Sequence, residues 1–235
     1  MKMADKVNLK YGLVNPKYMF PEVTYETYLV DILNVSHYFY SKRRLGERFK
    51  LIKEQAHSEC DASSSLYQLD FKILVSEDVM NALSKNKPQV DCSYRKQGFI
   101  FSKSPEKEVP VPADNILNDI MECTNDDIEK ETYKNRTIKN LIKNLKKEKN
   151  LFLYYPYEFP CNPGCLFLAS ELTAVFKTVL LYRKKICPSY DTFICIKVES
   201  SFLIYEWIKE KFIHCDTVDE VLCTNYKEFK KYLIY

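Results

Sequence analysis

Two aspartates and a lysine lie close together in the chain, and side chains of these types can form a site that hydrolyses phosphate esters. Asp61 precedes the segment Leu69-Asp-Phe-Lys72, in which Asp70 and Lys72 are two residues apart. On a β-strand, side chains two residues apart point to the same face. Two carboxylates beside an ammonium suit Mg²⁺ or Mn²⁺. A cation held there activates water for attack on a phosphodiester, while Lys72 stabilises developing charge or orients the water.

The element that must hold Asp70 and Lys72 is a strand predicted from Leu66 to Val75. Apolar and polar side chains alternate along it, so one face is apolar and the other partly polar. Upstream, the apolar spacing from Thr24 to Gln55 predicts a helix that is broken near Gly46. An exposed edge strand carrying a solvated Asp/Lys face is the alternative interpretation of the same residues.

A helix, then Asp, then Asp-x-Lys on a strand resembles the PD-(D/E)XK nuclease superfamily. By position, the resemblance assigns Asp61 and Asp70 as metal ligands and Lys72 as the conserved lysine of the motif, with the carbonyl of Phe71 facing the metal. It covers about residues 25–75. It implies a restriction-endonuclease-like core, a Mg²⁺ or Mn²⁺ cofactor and hydrolysis of DNA, with RNA as the second choice.

Two positions depart from this resemblance or leave it incomplete. Cys60 stands before Asp61, where the motif has proline. The superfamily often adds a glutamate from the first helix, and the candidates are Glu47, Glu54 and Glu59. On an unbroken helix, Glu47 and Glu54 lie opposite the apolar stripe and face water, so the third acidic residue stays open.

Two basic clusters are suited to contacts with nucleic-acid phosphates. One cluster precedes the candidate site in the chain. The other lies along one face of a predicted helix, on which residues four apart align. A solvated helix face is the alternative explanation for the second cluster. The candidate contact residues are Lys42, Arg43, Arg44, Lys139 and Lys143.

The remaining pattern predicts a single α/β domain over residues 1–235, with α+β as the alternative, built on a central mixed sheet flanked by helices. Residues 1–23 are predicted to be an irregular lead-in. Helical structure is expected over 114–148, in one or two pieces, and for the most part after Ser201. The other predicted elements are a helix over Ser76–Asn86, a strand over Gly98–Phe101, a strand over Leu151–Tyr155, a helix over Leu166–Lys185 and a strand over Thr192–Val198.

Composition excludes several classes of protein. Only four glycines are present, and they are too far apart for a phosphate-binding loop, a dinucleotide-binding turn or a nucleophile elbow. No apolar run is long enough to span a bilayer, and the first residues do not read as a signal peptide. We therefore expect a soluble intracellular protein, in the cytoplasm or alternatively the nucleus, without a membrane partner and with nine reduced cysteines.

Other chemistry has weaker support in the sequence. Cys161 and Cys165 could supply half of a zinc site, and His214-Cys215 is the nearest second pair but lacks the usual spacing. His57 could serve as a general base near Asp61. The runner-up function is a non-catalytic interaction module or a subunit of a larger assembly, because the many tyrosines and phenylalanines suit a protein interface.

Overall fold

The structure, a computed structural model, describes residues 25–52, 60–74, 116–133, 136–158 and 168–223. These residues form a seven-stranded mixed sheet with helices packed on it. The expectation of an α/β-type fold around a mixed sheet is confirmed at that level. The lead-in 1–23, the helix Ser76–Asn86 and the strand Gly98–Phe101 lie outside the described residues.

Seven strands and six α-helices make up the described fold. The helices are α1 (Tyr25–Val35), α2 (His37–Tyr40), α3 (Ile116–Met121), α4 (Asn125–Lys130), α5 (Arg136–Leu145) and α6 (Leu168–Ile186). The strands are β1 (Lys50–Leu51), β2 (Ala62–Ser63), β3 (Gln68–Ile73), β4 (Leu151–Glu158), β5 (Thr192–Val198), β6 (Ser201–Ile208) and β7 (Lys211–Asp219), and a 3₁₀ turn follows at Glu220–Leu222.

The strands stand side by side in chain order. The pairs β1–β2 and β2–β3 are antiparallel, β3, β4 and β5 run parallel to one another, and β6 and β7 continue as antiparallel neighbours. Parallel neighbours require long crossovers. Helices α3 to α5 lie in the connection from β3 to β4, and α6 lies in the connection from β4 to β5.

Alternation along the strands divides the core into two clusters. Leu69 and Phe71 of β3 pack in the cluster that includes α1, together with Phe152 and Phe193. Leu74, two residues beyond Lys72, packs in the other cluster, which includes α3 to α6. By the same alternation, Asp70 and Lys72 lie on the face of β3 that carries α3 to α6.

The second half of the predicted helix 24–55 is wrong. Helical structure ends at Tyr40, and the chain reaches β1 through a loop in which Gly46 has φ 79° and Leu45 is 88% exposed. Phe49 is buried, and its N–H donates to Asn34 Oδ1 at 2.8 Å. Leu45 and Phe49, which are spaced as on one face of a helix, therefore lie in a loop. The Asn34 side chain of α1 holds this loop by its hydrogen bond to Phe49.

The prediction of mostly helical structure after Ser201 is also wrong, because β6 and β7 form an antiparallel hairpin. Its turn residues, Lys209 and Glu210, have φ 49° and 63°. Turns of this kind normally carry Asn-Gly or Asp-Gly. Two charged residues in their place give no local signal of a hairpin.

The middle of the chain follows the predictions more closely. The region 114–148 is helical as predicted, but it forms three helices, α3, α4 and α5, instead of one or two. The helix predicted over Leu166–Lys185 is α6. The strand predicted over Thr192–Val198 is β5 with identical bounds. The strand predicted to end at Tyr155 continues to Glu158.

Candidate functional site

The β1–β2–β3 meander holds Asp61 where β2 and β3 separate. The Asp61 N–H donates to the Leu69 carbonyl at 3.0 Å, and its carbonyl accepts from the Ile52 N–H at 2.9 Å. Its Oδ2 accepts from the Phe71 N–H at 2.6 Å, beyond the last paired residues of β2 and β3. The backbone on both sides thus fixes Asp61, and its carboxylate lies against β3 one residue from Asp70.

The Phe71 carbonyl faces the same edge of β3. In a strand, the N–H and C=O of one residue point to the same side. Because the Phe71 N–H reaches the Asp61 carboxylate, its carbonyl also points toward the Asp61 side. The resemblance assigned this carbonyl a place facing the metal, and its direction is compatible with that assignment.

The two aspartates are close enough to act on each other. Burial raises the pKa of Asp61 above its usual value, and the charges of Asp70 and Glu26 raise it further. The Phe71 N–H and the Lys149 ammonium act in the opposite direction. Carboxylates crowded in a buried setting favour a proton or another cation between them.

Glu26, in the first turn of α1, is a residue that sequence reasoning missed. Its charge acts on Asp61, and the resemblance expects a glutamate from the first helix. Glu47 instead accepts hydrogen bonds from the Ser65 N–H at 2.8 Å and the Ser65 hydroxyl at 2.6 Å, on an exposed loop. Glu54 and Glu59 lie outside the described residues. The available signal was the position of Glu26 in the first helical segment.

Asp70 is buried, with 8% exposure. The interpretation of its strand as a solvated edge is wrong, because β3 lies between β2 and β4. Lys149 Nζ lies 3.5 Å from both carboxylate oxygens of Asp70, and Lys147 Nζ lies 4.0 Å from Oδ2. Both lysines lie in the turn between α5 and β4.

Lys72 is half-buried on the same face. Burial lowers its pKa below the usual lysine value, and the charge of Lys147 lowers it further. An ammonium in that setting gives up its proton more easily and attracts negative charge strongly. Asp61 and Asp70 are therefore brought together, with Lys149 and Lys147 beside Asp70. Lys72 shares its strand face with Asp70, and the charge that acts on it is that of Lys147.

The predicted phosphate-contact residues have different surroundings. Lys42 lies over the rings of Tyr38 and Tyr67, at 5.5 and 5.0 Å from their centroids. Arg43 donates to the side chain and carbonyl of Asn34, at 2.8 and 3.0 Å. The remaining three are exposed, namely Arg44, Lys139 and Lys143. Arg43 thus has a structural role on α1.

Cysteine and histidine chemistry has no assembled site in the described part of the chain. Its six cysteines are free thiols, and all but Cys215 are buried. His214 Nε2 lies 2.9 Å from the Thr217 hydroxyl, whereas Cys161, Cys165 and His57 lie outside the described residues. Within the described ranges, no group of three or more His, Cys, Asp or Glu side chains is placed to hold a metal ion.

Asp61 and Asp70 place two carboxylates, the ligand type of hard divalent cations, within electrostatic reach of each other. The Phe71 carbonyl points to the side of β3 on which Asp61 lies. Among the described helices, none combines the length and apolar character needed to cross a membrane. Comparisons of the chain with protein-family models, curated proteins and solved structures find no match.

Proposed function

We propose that this protein is a metal-dependent nuclease that hydrolyses phosphodiester bonds in DNA, with RNA as the second choice. The observation that carries the proposal is the position of the Asp61 carboxylate against β3, beside Asp70, where β2 and β3 separate. Lys72 lies on the same face of β3 as Asp70. A helix, an antiparallel meander and a helical crossover to a parallel strand surround them. This order is compatible with a restriction-endonuclease-like core.

Each side chain has a role that follows from its setting. Asp61 and Asp70 hold Mg²⁺ or Mn²⁺, with the Phe71 carbonyl as a further oxygen donor. When bound, the cation supplies Lewis-acid polarisation of the scissile phosphate and acidifies the attacking water. Lys72 stabilises the charge that develops on the phosphoryl oxygens or orients the water, and its buried setting strengthens that interaction.

The proposal is tested by cleavage of labelled single- and double-stranded DNA and RNA, with Mn²⁺ or with EDTA. We expect cleavage that requires the metal and falls by roughly a hundredfold or more in Asp70→Asn. Asp126→Asn is the matched control, because Asp126 is an exposed residue of α4 paired with Lys130. A folded wild-type protein that cleaves none of these substrates with Mn²⁺ would contradict the proposal.

A non-catalytic interaction module is the second candidate, and one surface favours it. The bonds from Ser65 to Glu47 bring the loop before β1 against the β2–β3 turn. Leu45 on that loop and Leu66 on that turn are both exposed. Exposed leucines on adjoining loops suit a protein contact. Under this candidate, the melting temperature is independent of Mn²⁺ and EDTA.

A further inference from the structure

The turn that carries Lys147 and Lys149 is held in place by α6. The buried Arg183 guanidinium donates to the carbonyls of Leu145, Lys147 and Lys149, with lengths of 2.5 and 3.1 Å for the first two. The Cys187 thiol, also on this side of the turn, lies 3.6 Å from the Lys147 carbonyl. Carbonyls at the end of a helix need such partners. The backbone under both lysines is therefore fixed, while their ammonium groups extend toward Asp70.

Both lysines hold Asp70 loosely. Their closest approaches to its carboxylate are 3.5 Å and 4.0 Å. Three other ion pairs among the described residues are closer, at 2.6 to 2.9 Å, which is the range of direct charge-assisted hydrogen bonds. The Lys147 side chain keeps 49% of its surface exposed, whereas that of Asp70 keeps 11%. Asp70 thus has two lysine ammonium groups beside its carboxylate, both farther away than the partners in those closer pairs.

We propose that Lys147 and Lys149 form a phosphate-binding pair for the DNA backbone that is released when a divalent cation takes their place at Asp70. The cation and the two ammonium groups compete for one carboxylate, so their simultaneous close contact with it is unfavourable. Freed from Asp70, the lysines lie beside the cation with their charge unmatched. The inference rests on the cation site of the proposed function, and it does not require cleavage.

The chemistry of the surroundings favours a polyanion as the ligand. Lys139 and Lys143 are exposed four residues apart on α5. Lys147 is exposed in the turn that follows this helix. Lys72 adds a further positive charge, and its lowered pKa registers the nearness of Lys147. The phosphates of a nucleic-acid backbone attract such a group of cations.

The test measures the coupling between cation and DNA rather than cleavage. Binding of a labelled DNA duplex is followed by fluorescence anisotropy with Ca²⁺ or with EDTA, at several salt concentrations, and gels verify that the duplex stays intact. Ca²⁺ affinity of the protein alone is measured by calorimetry. Wild type is compared with the double variant Lys147→Ala/Lys149→Ala, with the single variant Lys147→Ala, and with the control Lys177→Ala/Lys211→Ala, whose lysines are exposed on α6 and β7.

In the wild type, we expect Ca²⁺ to tighten DNA binding about tenfold. In the double variant, Ca²⁺ binds the protein several-fold more tightly, because two competing cations are gone. In the same variant, the factor by which Ca²⁺ tightens DNA binding falls several-fold. The slope of the logarithm of DNA affinity against the logarithm of salt concentration, measured with Ca²⁺, becomes less steep by about two. The single variant shows intermediate values, and the control keeps the coupling of the wild type.

Two results would overturn the inference. One is that the double variant loses the same DNA affinity with Ca²⁺ as with EDTA, which would mean that the lysines are ordinary surface contacts. The other is that the double variant binds DNA as the wild type does, which would mean that the lysines serve only as structural counterions of Asp70. If Ca²⁺ tightens DNA binding through the two lysines but no cleavage is found, the nuclease proposal is rejected and the phosphate-binding pair is retained. If the protein cleaves DNA but Ca²⁺ tightens DNA binding equally in the double variant and the wild type, the nuclease proposal is retained and the pair is rejected.

Discussion

At the scale of single residues, Asp61 is the clearest example of a charge held in an unfavourable setting. Burial and the charge of Asp70 raise its pKa, so the folded protein keeps the Asp61 proton to a higher pH than the unfolded chain does. Between the two pKa values the folded state binds more protons, and stability therefore falls as pH rises through that window. Above the window the ionised carboxylate remains a source of instability, which the proposed cation would relieve.

Asp61→Asn is expected to raise the melting temperature in EDTA at neutral pH. The asparagine oxygen still accepts from the Phe71 N–H, while the charge is removed. The difference from wild type should shrink as pH falls toward the unfolded pKa of about 3.9. Thermal melts over a pH series measure it, with Asp126→Asn as the control. Equal melting temperatures of Asp61→Asn and the wild type at every pH would show that ionisation of the Asp61 carboxyl does not destabilise the folded state.

Lys72→Met is expected to reduce metal-dependent cleavage by roughly a hundredfold and DNA affinity by less than about threefold. Lys72 is half-buried on the strand face that it shares with Asp70. In the proposed site its charge acts mainly on the reacting phosphate, and loss of transition-state stabilisation appears in kcat. Single-turnover cleavage and anisotropy separate the two quantities. A loss confined to affinity would assign Lys72 to substrate binding alone.

At the scale of elements, the end of α5 depends on a side chain from α6. Arg183 is 2% exposed and donates to three carbonyls around that end and to the Thr192 hydroxyl at 2.8 Å. Burial lowers the pKa of its guanidinium, and the surrounding acceptors compensate for the lost hydration. One arginine therefore joins α5, α6 and the start of β5.

Arg183→Lys is expected to lower the free energy of unfolding by about 3 kcal/mol, because one ammonium cannot satisfy acceptors spread over a turn. Urea denaturation measures the loss. Lys185→Met is the control, since Lys185 is exposed in the same last turns of α6. A loss no greater than that of the control would mean that water replaces the guanidinium at those carbonyls.

Elements differed in how far local sequence predicted them. Strands β3 to β5 and helix α6 bury apolar residues that recur at regular spacing, so the sequence pattern predicted where these elements lie. The hairpin β6–β7 and the loop before β1 escaped prediction for a different reason. Strand pairing supports a Lys-Glu turn with positive φ, and Asn34 anchors Phe49 from α1. Both depend on contacts with other elements.

At the scale of the whole molecule, the sheet places residues far apart in the chain around one carboxylate. Asp70 and Lys149 are 79 positions apart, and β3 and β4 bring them together as parallel neighbours, with Asp70 opposite Leu151. The two core clusters on the faces of the sheet hold this arrangement. A ligand bound at Asp61 and Asp70 therefore stabilises the fold as a whole.

Mn²⁺ is expected to raise the melting temperature of the wild type, and EDTA to reverse the rise. A concentration of about one hundred times Kd corresponds to about 2.7 kcal/mol of added stability. Asp70→Asn should show little of this increase, at matched ionic strength, while Asp126→Asn keeps it. A wild-type melting temperature that does not respond to Mn²⁺ would favour the interaction module.

The sequence by itself determined that Asp70 and Lys72 share one face of a strand, because side-chain alternation is a local property of extended backbone. It also determined the α/β character, because apolar periodicity separates helices from strands. Only the tertiary structure decided that Asp61 contacts Phe71, that Glu26 acts on Asp61, and that two lysines neighbour Asp70. These contacts arise from strand pairing and helix packing, which link distant segments and leave no trace in the spacing of neighbouring residues.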